Sequence, residues 1–141
     1  MKTRLNLQQP LPYALMIGKA LDFCEFMLTR SEILYPFALV TDNNNHSDVN
    51  CIFVPHKNQL AQPHMIESLQ EQIETHKTLT ADSASVLVYA AEITHPNATE
   101  PEALVFTITD SQGHNTVSIY PYKHVKGGIK ISHPCTCNFS D

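Results

Sequence analysis

Glycine is scarce in this sequence, with four residues in 141. A loop that holds phosphate on its backbone N–H groups needs glycines in close order, and neither G-x-x-x-x-G-K-[ST] nor a dinucleotide fingerprint occurs. The nucleophile turn G-x-S-x-G and the zinc helix H-E-x-x-H are absent too. Positive charge is also sparse. Nine Lys and Arg stand against fourteen Asp and Glu, a formal net charge of −5. A phosphate backbone rewards a basic face, so nucleic acid is excluded as the default partner. Lys123, Lys126 and Lys130 make the last segment locally basic, but three lysines read as a solvated surface. Long uncharged apolar runs are lacking. The stretch Leu11–Leu28 contains Lys19, Asp22 and Glu25, which excludes a membrane span. The same charges follow a Met1–Gln9 segment with two positive charges, and no secretory leader is read there. The expectation is a cytoplasmic chain with no membrane partner.

What is present is ordinary apolar content, so disorder is excluded. Charged residues are 16%, against the usual ~25%. The length predicts one domain over residues 1–141, with a polar arm over 1–10 and an irregular tail over 123–141. Such a chain buries roughly two-thirds of its unfolded surface and needs no staple to fold. Its four cysteines are expected to be thiols.

The pattern centres on Leu34–Pro55. Leu34–Thr41 is an apolar run, Asp42–Asp48 is rich in Asn and Asp, and Val49–Val54 is apolar again. This reads as a hairpin. Pro36 cannot donate to a ladder, which places that end at an edge or a bulge. Before it, Leu11–Arg30 reads as a helix with Pro12 in its first turn. Ala14, Ile17, Leu21, Cys24 and Leu28 form one apolar stripe at 3/4 spacing. Met16, Ala20, Phe23 and Met27 form a second beside it. This arc is wider than a helix on one sheet face requires. Either a later segment or a partner subunit must cover the second stripe. A second helix starts near Gln62, with Ile66, Leu69, Ile73 and His76 on one side and Glu67, Glu71 and Glu74 on the other. Strands follow at Ala84–Thr94, Ala103–Thr109 and Thr116–Tyr122, with a turn at Asp110–Gly113. In the tail, Ile129–Ile131 has the makings of a short strand.

The expected fold is therefore α+β: a five-stranded antiparallel sheet with two helices, in the order α-β-β-α-β-β-β. Over Leu11–Tyr122 this order resembles the roadblock, longin and profilin-like modules. The run Tyr35-Pro36-Phe37-Ala38 is also similar to small bacterial proteins with a YPFA first strand. Roadblock-type modules dimerise and serve as scaffolds or regulators, which is what the resemblance implies here.

The most reactive-looking cluster is His133-x-Cys135-x-Cys137, since thiolate and imidazole are good zinc ligands. Yet C-x-C is tighter than the usual C-x₂₋₄-C, and a fourth ligand, His124 or Cys51, arrives only by folding. The competing reading is an exposed tail with two inert thiols. Cys24 falls on the helix stripe and Cys51 in a strand, where cysteine acts as a small hydrophobe. A Cys51/His56 pair is formal only, because their separation along a strand is too large for catalysis. Of eight histidines, His46, His95 and His114 fall in loops that one end of the sheet could gather around a metal. His64 and His76 are too far apart on the second helix to share one. The bland alternative is scattered surface histidines. Asp42, Asp48, Asp82 and Asp110 bracket strands and read as turn residues before catalytic acids.

No catalytic residues and no cofactor are assigned. The reading is a non-enzymatic cytoplasmic interaction or regulatory module. Its expected partner is a second copy of itself or another protein, docked on Met16, Phe23 and Met27. The alternative is a small zinc-type protein using His133, Cys135 and Cys137. A small enzyme acting in the histidine loops is a third reading.

Overall fold

The computed structural model describes residues 12–31, 33–42, 45–53, 62–79, 83–93, 102–110 and 112–139, with backbone alone at 12, 42, 45–48, 78–79 and 136–139. Helix α1 spans Pro12–Ser31, followed by β1 (Phe37–Asp42) and β2 (Asn45–Phe53). Helix α2 (Gln62–Leu79) precedes β3 (Ser85–Glu92), β4 (Glu102–Thr109) and β5 (Asn115–Val125). Two further strands, β6 (Gly128–Ile131) and β7 (Cys135–Phe139), complete the order. All seven strands join one antiparallel sheet in the order β2-β1-β3-β4-β5-β6, with β7 also on β5.

The α+β class, both helices and the antiparallel sheet match expectation. The strand count does not. The expected irregular tail over 123–141 contributes two strands, so five strands become seven. Strand β5 runs on to Val125, and a two-residue turn brings Gly128 opposite it. Gly127 adopts φ +88° in that turn, a conformation that costs glycine nothing. β2 also starts earlier than its apolar run, at Asn45, because ladder hydrogen bonds override weak strand propensity. Pro36 lies just before β1, which is a central strand.

β6 and β7 share one edge of β5, and Pro121 explains the break between them. Tyr122 pairs with Ile131 and Ile119 pairs with Cys135, so Tyr120 and Pro121 oppose Ser132, His133 and Pro134. The Ser132 N–H donates to the Pro121 carbonyl at 2.8 Å. A strand residue turns its nitrogen and its carbonyl to the same side, so the proline nitrogen also faces this edge. It has no hydrogen to give, and an extra residue bulges out there.

Strand alternation splits the core into two layers. Phe37, Leu39, Val86, Val88, Leu104 and Phe106 face α1, while Ala38 and Leu87 pack with Met65 and Leu69 of α2. The helices therefore lie on opposite faces of the sheet. α2 rests on β1 and β3. α1 touches β2 and β3 and also β6, at opposite ends of the strand order, so the sheet curls around it. At β6 the approach is close: a Cβ on Gly128 would lie 3.4 Å from the Thr29 hydroxyl.

The curl settles what covers the wide arc of α1. Met16, Ala20, Cys24 and Leu28 form a fully buried line. Tyr13, Ile17, Leu21, Phe23 and Met27 pack beside it on the same core. A later segment of the same chain covers the second stripe.

One buried polar junction closes the end of β1. Thr41 is fully buried. Its N–H donates to the Ala84 carbonyl at 2.9 Å, and its Oγ1 accepts from the Ala84 N–H at 2.8 Å. The His76 ring meets the Thr41 carbonyl at 2.9 Å, which ties the end of α2 to the same point. Thr41→Val keeps the shape but leaves the buried Ala84 N–H unpaired. We expect a loss of about 1–3 kcal/mol in urea unfolding, against under about 0.5 kcal/mol for an exposed change such as Gln112→Ala.

Candidate functional site

The tail places its reactive residues on different sides of the sheet. Cys135 and Cys137 occupy register positions opposite Ile119 and Val117. These alternate with Ser118 and Tyr120, so they belong to the face turned away from α1. His133 instead lies at the bulge and lines a groove against α1. Cys135 is an exposed free thiol, and the side chain of Cys137 lies outside the described residues. Among the described residues no three His, Cys, Asp or Glu side chains gather as metal ligands would.

The other candidates stand apart. Cys24 is sealed beneath α1, and burial pushes its thiol up to about 12. A thiol that stays protonated is no nucleophile. Partial burial also raises the Cys51 thiol, while His56 and His95 lie outside the described residues. His46 belongs to β2, with its side chain outside them. His114 is engaged in the β4–β5 turn, its Nδ1 3.2 Å from Asp110 Oδ2. Partial desolvation of Asp110 works against ionisation. Hydrogen bonds from the His114 and Gln112 amides and from the His114 ring outweigh it, and the Asp110 carboxyl titrates below its usual range. Asp110 is thus a turn residue. The side chains of Asp42 and Asp48, and all of Asp82, lie outside the described residues.

The residues expected to form a partner surface sit inward. Met16 has no exposed surface, so it cannot meet a partner. Phe23 and Met27 pack on the same core. Phe23 is edge-on to Phe37 at 4.8 Å and lies 5.3 Å from Phe53. The apolar width of α1 is explained within one chain.

Two surfaces remain. The first is the sheet face beyond α2. There β4 presents Val105 and Thr107, and β5 presents Val117, Ile119 and Pro121, all half-buried and uncharged. α2 reaches only the end of this face, where Gln70, Ile73 and Glu74 line a pocket with Thr107, Thr109 and Asn115. The second is the groove made by the bulge, an open space of about 630 Å³ between α1 and the β6–β7 edge. Asp22 and Glu25 stand on its α1 side, Ser132 and His133 on the other, and Tyr120 between them, while Lys130 borders it from β6 at a register position that alternates with the core-facing Ile129 and Ile131. Sequence reasoning reached His133 but not Tyr120 or the two carboxylates, because their meeting depends on the curl of the sheet.

No protein-family model, curated protein or solved structure matches this chain. No described helix is long and apolar enough to cross a membrane.

Proposed function

We propose that the protein is a non-enzymatic interaction module that works as a homodimer in the cytoplasm. The observation that carries this is the patch over β4 and β5 on the face turned from α1, uncharged between Glu74 of α2 at one end and Lys123 of β5 at the other. The chain carries a formal net charge of −5, so two copies repel through most of their surfaces. The face formed by Val105, Thr107, Val117, Ile119 and Pro121 carries no charge. A second copy presents the same patch, and a two-fold axis brings like onto like without burying an unpaired charge. Free thiols at Cys24, Cys51 and Cys135 suit a reducing compartment.

The test is sedimentation equilibrium of the untagged chain beside the variant Ile119→Glu. The native chain should sediment as a dimer at micromolar concentration. The variant places carboxylates against each other across the axis and should sediment as a folded monomer, with its circular dichroism unchanged. A native monomer at that concentration, or a variant that remains dimeric, defeats the reading.

A further inference from the structure

A small pocket opens between α2 and the sheet, at the start of β3, the end of β4 and the start of β5. Its volume is about 230 Å³. Strand alternation builds its floor. Val86 and Val88 face α1, so Ser85 and Leu87 face α2, and the register sets Thr109 and Thr107 opposite them. Gln70, Ile73 and Glu74, three and four residues apart on the helix, form the outer wall.

The floor holds a buried hydroxyl with nothing to bond. Ser85 is 5% exposed, and among the described residues its side chain has no hydrogen-bond partner. Buried polar groups are almost always paired. Thr41, on the neighbouring strand and fully buried, obeys that rule through Ala84. The groups around Ser85 are unspent as well. Among the described residues no hydrogen bond engages the side chains of Gln70, Glu74 or Thr107. Thr109 donates to Asn115 Oδ1 at 2.7 Å, which leaves the amide hydrogens of Asn115 to give.

This set both gives and takes hydrogen bonds. The Gln70 and Asn115 amides donate, the Glu74 carboxylate accepts, and the Ser85 and Thr107 hydroxyls do either. Among the described residues no cation lines the pocket. Lys77, one turn further along α2, reaches the β4–β5 turn instead, where a Cβ on Gly113 would lie 3.5 Å from its Nζ. An anion entering the pocket therefore meets Glu74 with nothing to offset it. A plain cation pairs with Glu74 but turns no acceptor to the two amides. A neutral polyhydroxy compound satisfies donors and acceptors together. Ile73 and Leu87 add apolar surface for the C–H face of a ring. The volume lies below the range of drug-sized sites, about 300–1,000 Å³, and limits the occupant to one ring.

We propose that this pocket binds a neutral monosaccharide. Glu74 accepts from neighbouring sugar hydroxyls, Ser85 bonds a hydroxyl at the floor, and Ile73 and Leu87 pack on the ring. Thr107 alone is shared with the proposed dimer face, and the sugar site does not rest on that face.

The experiment is a series of ¹H–¹⁵N spectra of the full chain titrated with glucose, galactose and mannose, with glycerol as control. At least one sugar should bind in the millimolar range and shift the amides of Ile73, Ser85, Leu87 and Thr107 most. Glycerol has hydroxyls but no ring to lie on Ile73 and Leu87, and should bind about tenfold more weakly. Ser85→Ala removes the buried hydroxyl alone. Glu74→Gln, on the exposed side of α2, removes the charged acceptor without touching the core. Each should weaken the sugar about tenfold. The proposal is overturned if no sugar shifts these amides, or if the largest shifts fall elsewhere. Equal binding of glycerol also overturns it, as does undiminished sugar binding by both variants.

Discussion

Replacing Phe37 by alanine is expected to cost about 3–5 kcal/mol of folding stability. Phe37 is fully buried at the start of β1, on the face that meets α1. Its ring meets Phe23 of the helix at 4.8 Å and Phe53 of β2 at 6.0 Å. The substitution removes a large apolar surface and leaves a cavity that three elements must close. It also abolishes two aromatic contacts, each worth about 0.5–1.5 kcal/mol beyond burial. Domains of this kind hold about 5–15 kcal/mol in total, so the variant should be close to unfolding. Phe53→Ala provides the control. Phe53 belongs to the same trio but is 45% exposed, so its loss should cost far less. Urea unfolding with an unchanged slope is the measurement. Equal costs for the two variants would mean that β2, not β1, carries the clamp on α1.

Stability should also fall at alkaline pH, chiefly between pH 9 and 12, through Cys24. Burial raises its thiol from 9.0 to about 12. The folded state holds the proton more tightly than the unfolded chain does. Stability from this thiol is therefore fully present below pH 9 and is lost as pH rises toward 12. The full span corresponds to about 4 kcal/mol at 1.36 kcal/mol per pH unit. Tyr122 adds to it with the same sign. Its phenol is raised first by burial, then by the charge and hydrogen bond of Glu102, with a smaller push from Cys24. Denaturant melts at pH 8, 9, 10 and 11 should show a stability that is flat and then falls. Cys24→Ala trades a small cavity for the removal of this titration. Its curve should begin lower and descend less. A variant curve parallel to the native one would show that Cys24 is not the buried acid.

Much of the architecture is legible in the residues. The 3/4 spacing of Met16, Ala20, Cys24 and Leu28 marks a helix with a buried line. Leu104, Phe106 and Ile108 alternate with Val105 and Thr107, and the register puts the first three against α1. Asp110–Gly113 forms the turn that its composition indicates. The cysteine–histidine tail was harder to place. Its spacing lists potential ligands but does not say on which side of a strand each one falls. A single bulge decides that, and the bulge comes from Pro121, a residue outside the motif.

Local periodicity is a property of neighbours in the chain, so the sequence alone determined the helices, the strands that alternate and the turns with glycine or aspartate. It also showed that α1 has more apolar surface than one flat sheet can cover. Only the tertiary structure decided what covers that surface. Strand order and sheet curl arise from contacts between residues far apart in sequence, Phe23 with Phe53 at one edge and Thr29 with Gly128 at the other. The same long-range closure buried Met16 in the chain's own core and left Val105, Val117 and Ile119 half-buried on the opposite face. It also set Tyr120 in a groove beside Asp22 and Glu25 of α1.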